Sequence, residues 1–152
     1  MTAVLSLGSN VGDRLALLRS AVEILQPSSV SSVWETAPVG GVEQGDFLNA
    51  VVLVDLSAVD AWARAVTAEQ AAGRSRGVRW GPRSLDVDVI WADGTGSGLD
   101  LPHPRAYERA FVLLPWLEVE PDAVLAGHGP VALLAAGLDQ SGVHRRSDLR
   151  LG

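Results

Sequence analysis

Two residue types are absent from this 152-residue chain, cysteine and lysine, and each absence excludes chemistry. Without cysteine there is no disulfide, no thiolate nucleophile and no thiolate-bound metal. Without lysine there is no Walker-type P-loop, whose lysine reaches nucleotide phosphates, and no counterpart of the strand-borne lysine of protein kinases. Any polyphosphate handled here must be met by arginine and by metal. Long apolar runs are lacking too. Phe111–Leu117 and Val131–Ala136 are the longest, far short of the ~20 residues a membrane-crossing helix needs. The first residues carry neither a basic segment nor an extended apolar one, so no secretory leader is expected. Together with the missing cysteine, this makes the expected location cytoplasmic. A net charge of −6 disfavours non-specific contact with nucleic acid, and neither nucleic acid nor membrane is an expected partner. No repeat, linker or compositional break divides the chain. Residues 1–152 are read as one domain, long enough to bury a core of its own and expected to be a monomer.

What the chain does contain is concentrated in one stretch, Arg79–Ile90. From Ser84 onward it alternates, with Ser84, Asp86 and Asp88 on one face and Leu85, Val87, Val89 and Trp91 on the other. A period of two rich in β-branched residues reads as a half-buried strand. At ~3.3 Å per residue, Asp86 and Asp88 leave the backbone roughly 6–7 Å apart and point the same way. Two such carboxylates repel unless a cation lies between them, and hard oxygen ligands on a rigid element suit Mg²⁺, whose remaining positions go to phosphate and water. Four of the twelve arginines, Arg74, Arg76, Arg79 and Arg83, lie just upstream. Guanidinium forks match phosphate oxygens. A D-x-D strand taken alone equally describes the solvated face of an edge strand.

The remaining elements follow from local signals. Ala3–Leu7 reads as a strand that runs into a turn at Gly8-Ser9-Asn10. A helix starts near Gly12 or Asp13, with Leu15, Leu18, Val22 and Leu25 at helical spacing, and stops at Pro27. Val30–Thr36 is expected to be a second strand, and Ala37–Gly45 a long loop. Phe47–Val54 is the clearest strand, with Phe47, Asn49, Val51 and Leu53 on one side. Ser57 caps a second helix, with Asp60 three residues on, that runs to Gly73. A short helical stretch at Tyr107–Leu117 should break at Pro115, another helix covers Val131–Gly137, and the tail from Asp139 reads as an arm or final strand. The order βαββαβ is the ferredoxin-like arrangement, an α+β fold with C-terminal additions. Phe47 and Asn49 share a strand face, where a ring to stack and an amide to read an edge suit a flat heterocycle. A core Phe47 and an edge Asn49 would explain the same pattern.

The string R-W-G-P-R-x-L-D-V-D-V-I at 79–90 closely resembles the signature of the 6-hydroxymethyl-7,8-dihydropterin pyrophosphokinases of folate biosynthesis. Pro102-His103-Pro104-Arg105 and Glu108-Arg109-Ala110-Phe111-Val112-Leu113 resemble a later segment of that family, and Thr36–Gly40 and Asp46–Ala50 its pterin pocket. The resemblance covers roughly residues 3–120. It implies transfer of diphosphate from ATP to the pterin alcohol, with AMP released and two Mg²⁺ ions bound by Asp86 and Asp88. Arg74 and Arg83 would join those two aspartates in catalysis. Glu69, Arg76, Arg79, Trp80, Arg83, His103 and Arg109 would contact ATP. Thr36, Pro38, Val39, Phe47, Asn49 and Phe111 would hold the pterin. Pro104 stands where relatives carry an aromatic residue, and the Arg74–Arg79 loop is shorter than theirs and has no lysine. Two other classes fit a βαββαβ chain: a nucleotide-binding regulatory module without turnover, and a structural domain whose acidic face is merely solvated.

Overall fold

A computed structural model of the chain describes residues 1–37, 46–73, 85–94 and 97–151. Its centre is an antiparallel sheet. Strand β1 (Ala3–Ser9) lies between β4 (Phe47–Val54) and β5 (Asp86–Ala92), and β3 (Trp34–Thr36) joins the far side of β4. The order β5-β1-β4-β3 is the ferredoxin-like one. A late strand, β8 (Val143–Arg145), extends it at the β3 edge, the two-residue β2 (Ser29–Val30) also pairs with β4, and β6 (Val124–Leu125) and β7 (Gly129–Pro130) pair apart from this sheet.

Period-two alternation sends side chains to two separate cores. Leu5 and Leu7 of β1, with Ala50, Val52 and Val54 of β4, face helices α1 (Arg14–Leu25) and α2 (Ala58–Ala71), meeting Leu18, Leu25, Ala61 and Ala65. Val4 and Val51 face the opposite way, against α3 (Ala110–Val119) and α4 (Val131–Ala136), meeting Leu113, Trp116 and Val131. Burying a side chain of this size contributes about 1.5–3 kcal/mol, so each helix pair is held mainly by its apolar face. The caps are local. The Asp13 carboxylate accepts from the Ala16 N–H, and the Ser57 hydroxyl from the Asp60 N–H.

Four expectations are corrected by long-range contacts. The first strand does not turn at Gly8; it continues to Ser9, with Gly8 paired to Asn49 on one side and Asp86 on the other. Val30–Thr36 is not one strand, because the Ser31 side chain substitutes for the ladder: its hydroxyl accepts from the Val51 N–H at 2.9 Å. Trp91 does not share a face with Val87 and Val89. The register slips between Val4 and Leu5, which pair with Trp91 and Val89, so Ile90 is an extra residue, a β-bulge that turns it and Trp91 toward the second core. Pro115 does not break its helix: α3 runs through it to Val119, with Pro115 buried between Leu113 and Trp116. The hydrogen bond lost at proline is offset by burial of that apolar stretch. The tail after α4 joins the sheet as β8 and then crosses to the first core, where Leu151 is buried beside α1.

Candidate active site

The floor of the site is a row of residues in register across three strands. Asp86 pairs with Gly8, and Gly8 pairs with Asn49; one step along, Asp88 pairs with Ser6. With strands ~4.8 Å apart, the aspartate pair and Asn49 stand on opposite sides of a gap about two strands wide. Gly8 keeps that gap open, since a Cβ there would lie 3.3 Å from Asn49 Oδ1 and 3.9 Å from the Phe47 ring. Asn49 is 3% exposed, and its Nδ2 donates to Thr36 Oγ1 at 2.7 Å. Buried amides of this kind hold their orientation because an unmet hydrogen bond there is costly.

The walls come from three places. Phe47 stands on β4 and Phe111 in the first turn of α3, both half-buried, bordering one cleft of about 780 Å³. Arg109 precedes α3, with its guanidinium 5.7 Å from the centre of the Phe111 ring, a cation–π distance. In the short 3₁₀ turn before it, Arg105 Nε donates to Glu108 Oε1 at 2.7 Å, and that bond keeps the Arg105 guanidinium firmly protonated. The third wall is the C-terminal arm. Ala37 N–H donates to the Gly142 carbonyl at 3.1 Å and Thr36 pairs with Val143, which brings Asp139 and Ser141 to the same cleft.

Of the residues singled out in the sequence, Thr36, Phe47, Asn49, Asp86, Asp88, Arg109 and Phe111 line this one cleft. Glu69 and His103 lie at the outer edge of β5 and are not among the lining residues. The Glu69 carboxylate accepts from the Val87 N–H at 3.1 Å, covering a strand edge that has no further strand neighbour among the described residues. The His103 N–H donates to the Ile90 carbonyl at 2.8 Å, and its Nδ1 accepts from the Arg105 N–H. Pro38, Val39, Arg74, Arg76, Arg79, Trp80 and Arg83 lie outside the described residues. Sequence reasoning gave no role to Gly8, Arg105, Glu108 or the arm. Gly8 looked like a turn because its two strand partners are distant in sequence. Among the described residues no cluster of three metal-ligating side chains occurs. Asp86 and Asp88 are the side chains here that could hold a metal, and two carboxylates with the remaining positions left to phosphate and water would suit Mg²⁺.

The family model of 7,8-dihydro-6-hydroxymethylpterin-pyrophosphokinase matches residues 4–121. The chain belongs to this family. Pterin pyrophosphokinases similar to it include one from Mycobacterium leprae, 52% identical over 144 residues, covering 83% of this chain and 75% of that protein. A second, from Mycobacterium tuberculosis, is 47% identical over 156 residues, covering 90% and 83%. The Bacillus subtilis member is 41% identical over 128 residues, covering 77% of each. All three are named 2-amino-4-hydroxy-6-hydroxymethyldihydropteridine pyrophosphokinase. Among solved structures, a Plasmodium falciparum HPPK-DHPS chain superposes with a TM-score of 0.67 over 89% of this pterin pyrophosphokinase-family chain. At 12% identity that likeness is one of fold, and this chain spans 45% of that longer protein.

Proposed function

We infer that the protein transfers diphosphate from ATP to the hydroxymethyl oxygen of 6-hydroxymethyl-7,8-dihydropterin, releasing AMP, as a step in folate biosynthesis. Family membership supports this reading. The single structural observation that carries it is the row Asp86–Gly8–Asn49, which puts an acidic pair and a buried amide at the two ends of one cleft. A sensing module has no use for the acidic pair, and a structural domain has no use for the cleft.

In this reading the pterin lies between Phe47 and Phe111. Asn49, held by Thr36, reads its edge together with the segment containing Pro38 and Val39. Aromatic stacking of this kind adds roughly 0.5–1.5 kcal/mol beyond buried area. Asp86 and Asp88 would hold two Mg²⁺ ions together with the ATP phosphates. Bound metal would neutralise phosphate charge and polarise the β-phosphoryl group. Arg109 faces the triphosphate from the opposite wall, and Arg74, Arg76, Arg79 and Arg83 supply further guanidinium groups, with Trp80 and His103 beside the nucleotide. The hydroxymethyl oxygen bonds to the β-phosphorus, the bond from that phosphorus to the α-bridging oxygen breaks with its electron pair leaving on AMP, and the hydroxyl proton passes to water. Positioning and charge neutralisation are most of what such a transfer requires of a protein. Among the described residues no helix is long and apolar enough to cross a membrane.

Chromatography of the nucleotides after incubation with ATP, Mg²⁺ and the pterin alcohol tests the reading. AMP formed only when pterin is present is the expected result. ADP as the main product, or no pterin-dependent cleavage, overturns it.

A further inference from the structure

The family match ends at residue 121, yet part of the cleft wall lies beyond it: Asp139, Ser141, Gly142 and Val143. This arm is tied down at several points. Gln140 Nε2 donates to the Ala135 carbonyl at 2.8 Å, Val143 N–H to the Gln140 carbonyl, and Ala37 N–H to the Gly142 carbonyl. Beyond the cleft, Arg146 donates to Glu35 at 3.0 Å, and its N–H to the Val33 carbonyl at 2.8 Å. A segment fixed at both ends presents its side chains in a defined place.

The arm joins the sheet at the β3 edge, the side away from Asp86 and Asp88 and next to the Thr36–Asn49 pair. Among the described residues, four carboxylates border the cleft. Asp86 and Asp88 stand on the far strand, and Glu108 is engaged by Arg105. Asp139 is the one on the heterocycle side. Its Oδ1 accepts from the Ser141 N–H at 3.0 Å, and the Ser141 hydrogen bonds hold its carboxyl below the usual carboxylate range, so it is ionised at neutral pH. A 2-amino-4-oxo pyrimidine edge offers an exocyclic N–H and a ring N–H side by side, and a carboxylate accepts such a pair well.

We propose that the arm residues Asp139–Val143 are a specificity-determining wall of the pterin half of the cleft, with the Asp139 carboxylate accepting from the amino-pyrimidinone edge of the heterocycle. This rests on the function proposed above and adds a contact that the matched region does not contain. The Gly142 carbonyl, which accepts from the Ala37 N–H at 3.1 Å, fixes how close the arm comes.

Calorimetry on the full chain with a non-hydrolysable ATP analogue and Mg²⁺ tests the arm. The ligands are 6-hydroxymethyl-7,8-dihydropterin and the same ring lacking its 2-amino group. Asp139→Asn keeps the shape and an acceptor for the Ser141 N–H; Asp139→Ala removes both; Asp122→Asn, an exposed acid outside the cleft, is the control. Losing a charge-assisted pair should weaken pterin affinity about tenfold in both Asp139 variants. Their discrimination against the desamino ring should shrink correspondingly, while affinity for the ATP analogue and the melting temperature stay put. Unchanged pterin affinity overturns the proposal, as does an equal loss for both rings, which would mark a purely structural arm. If the wild type makes AMP from ATP and pterin while the variants bind normally, only the arm is refuted. If the wild type binds no pterin, both readings fall.

Discussion

Gly8 and Asn49 face each other in register, and the hydrogen atom in place of a side chain at Gly8 is what leaves Asn49 Oδ1 room. A Cβ would stand 3.3 Å from that oxygen, tighter than an unstrained contact, in a strand paired on both sides. Asn49 would have to yield by a few tenths of an ångström, and its bond to Thr36 would yield with it.

Gly8→Ala should therefore weaken pterin binding several-fold and leave the protein folded. Strand propensity at that position favours alanine, which offsets part of the crowding. Calorimetry that found pterin affinity intact would show that Asn49 does not need its present orientation.

Asp86→Asn and Asp88→Asn should each lower turnover by about a hundredfold or more, the scale seen when one preorganised charge-stabilising group is removed. Neither should unfold the protein. In the absence of Mg²⁺ the melting temperature should hold or rise, because repulsion between the two acids is relieved. Near-normal activity in either variant would remove the metal assignment.

Glu69 is expected to act through β5. Its carboxylate holds the Val87 N–H, midway between the two aspartates, so Glu69→Ala should let that strand edge shift. Losing such a supporting contact typically costs roughly 10–100-fold in metal affinity or activity. The distinguishing measurement is a Mg²⁺ titration of activity. A weaker apparent Mg²⁺ affinity supports a positioning role, whereas weaker ATP binding at saturating Mg²⁺ would make Glu69 a nucleotide contact.

Glu35 bridges Arg14, 2.8 Å away at the start of α1, and Arg146, 3.0 Å away on the arm. The hydrogen bond from Arg14 is the chief reason its carboxyl titrates below the ordinary value of 4.5, with Arg146 adding to it against the cost of burial. A carboxyl that is more acidic when folded stabilises the fold above its unfolded value, and that stabilisation disappears as the pH falls through the lowered folded value. Glu35→Gln should cost about 1 kcal/mol at neutral pH and flatten the acid limb of the stability curve below pH 4.5. Urea unfolding of both proteins from pH 7 down to pH 3 checks this. An identical acid limb in the two would show that Glu35 is not linked to folding.

Much of the fold is legible in the chain because its signals are local. Alternation in Phe47–Val54 sorts Val51 and Val52 into opposite cores, as the structure has them. Ser57 and Asp60 announce their helix within four residues, and Asp86 and Asp88 share a face by strand geometry alone. The arginine-and-aspartate string was enough to point to the family.

Other features depend on partners far away in sequence. Gly8 is a strand residue because Asn49 and Asp86 pair with it, and neither lies nearby along the chain. The bulge at Ile90 answers the register of Val4 and Leu5, and the helix continues through Pro115 because Trp116 and Leu113 are buried around it. The tail from Asp139 reads as an arm or a final strand, and it becomes part of the sheet only because β3 offers it an edge. Period, capping and turn chemistry are determined within a few residues of sequence. Register, edge pairing and the meeting of Asp139 with Asn49 at one cleft exist only once the sheet has formed, because hydrogen bonds between strands and burial between layers join residues that sequence keeps apart.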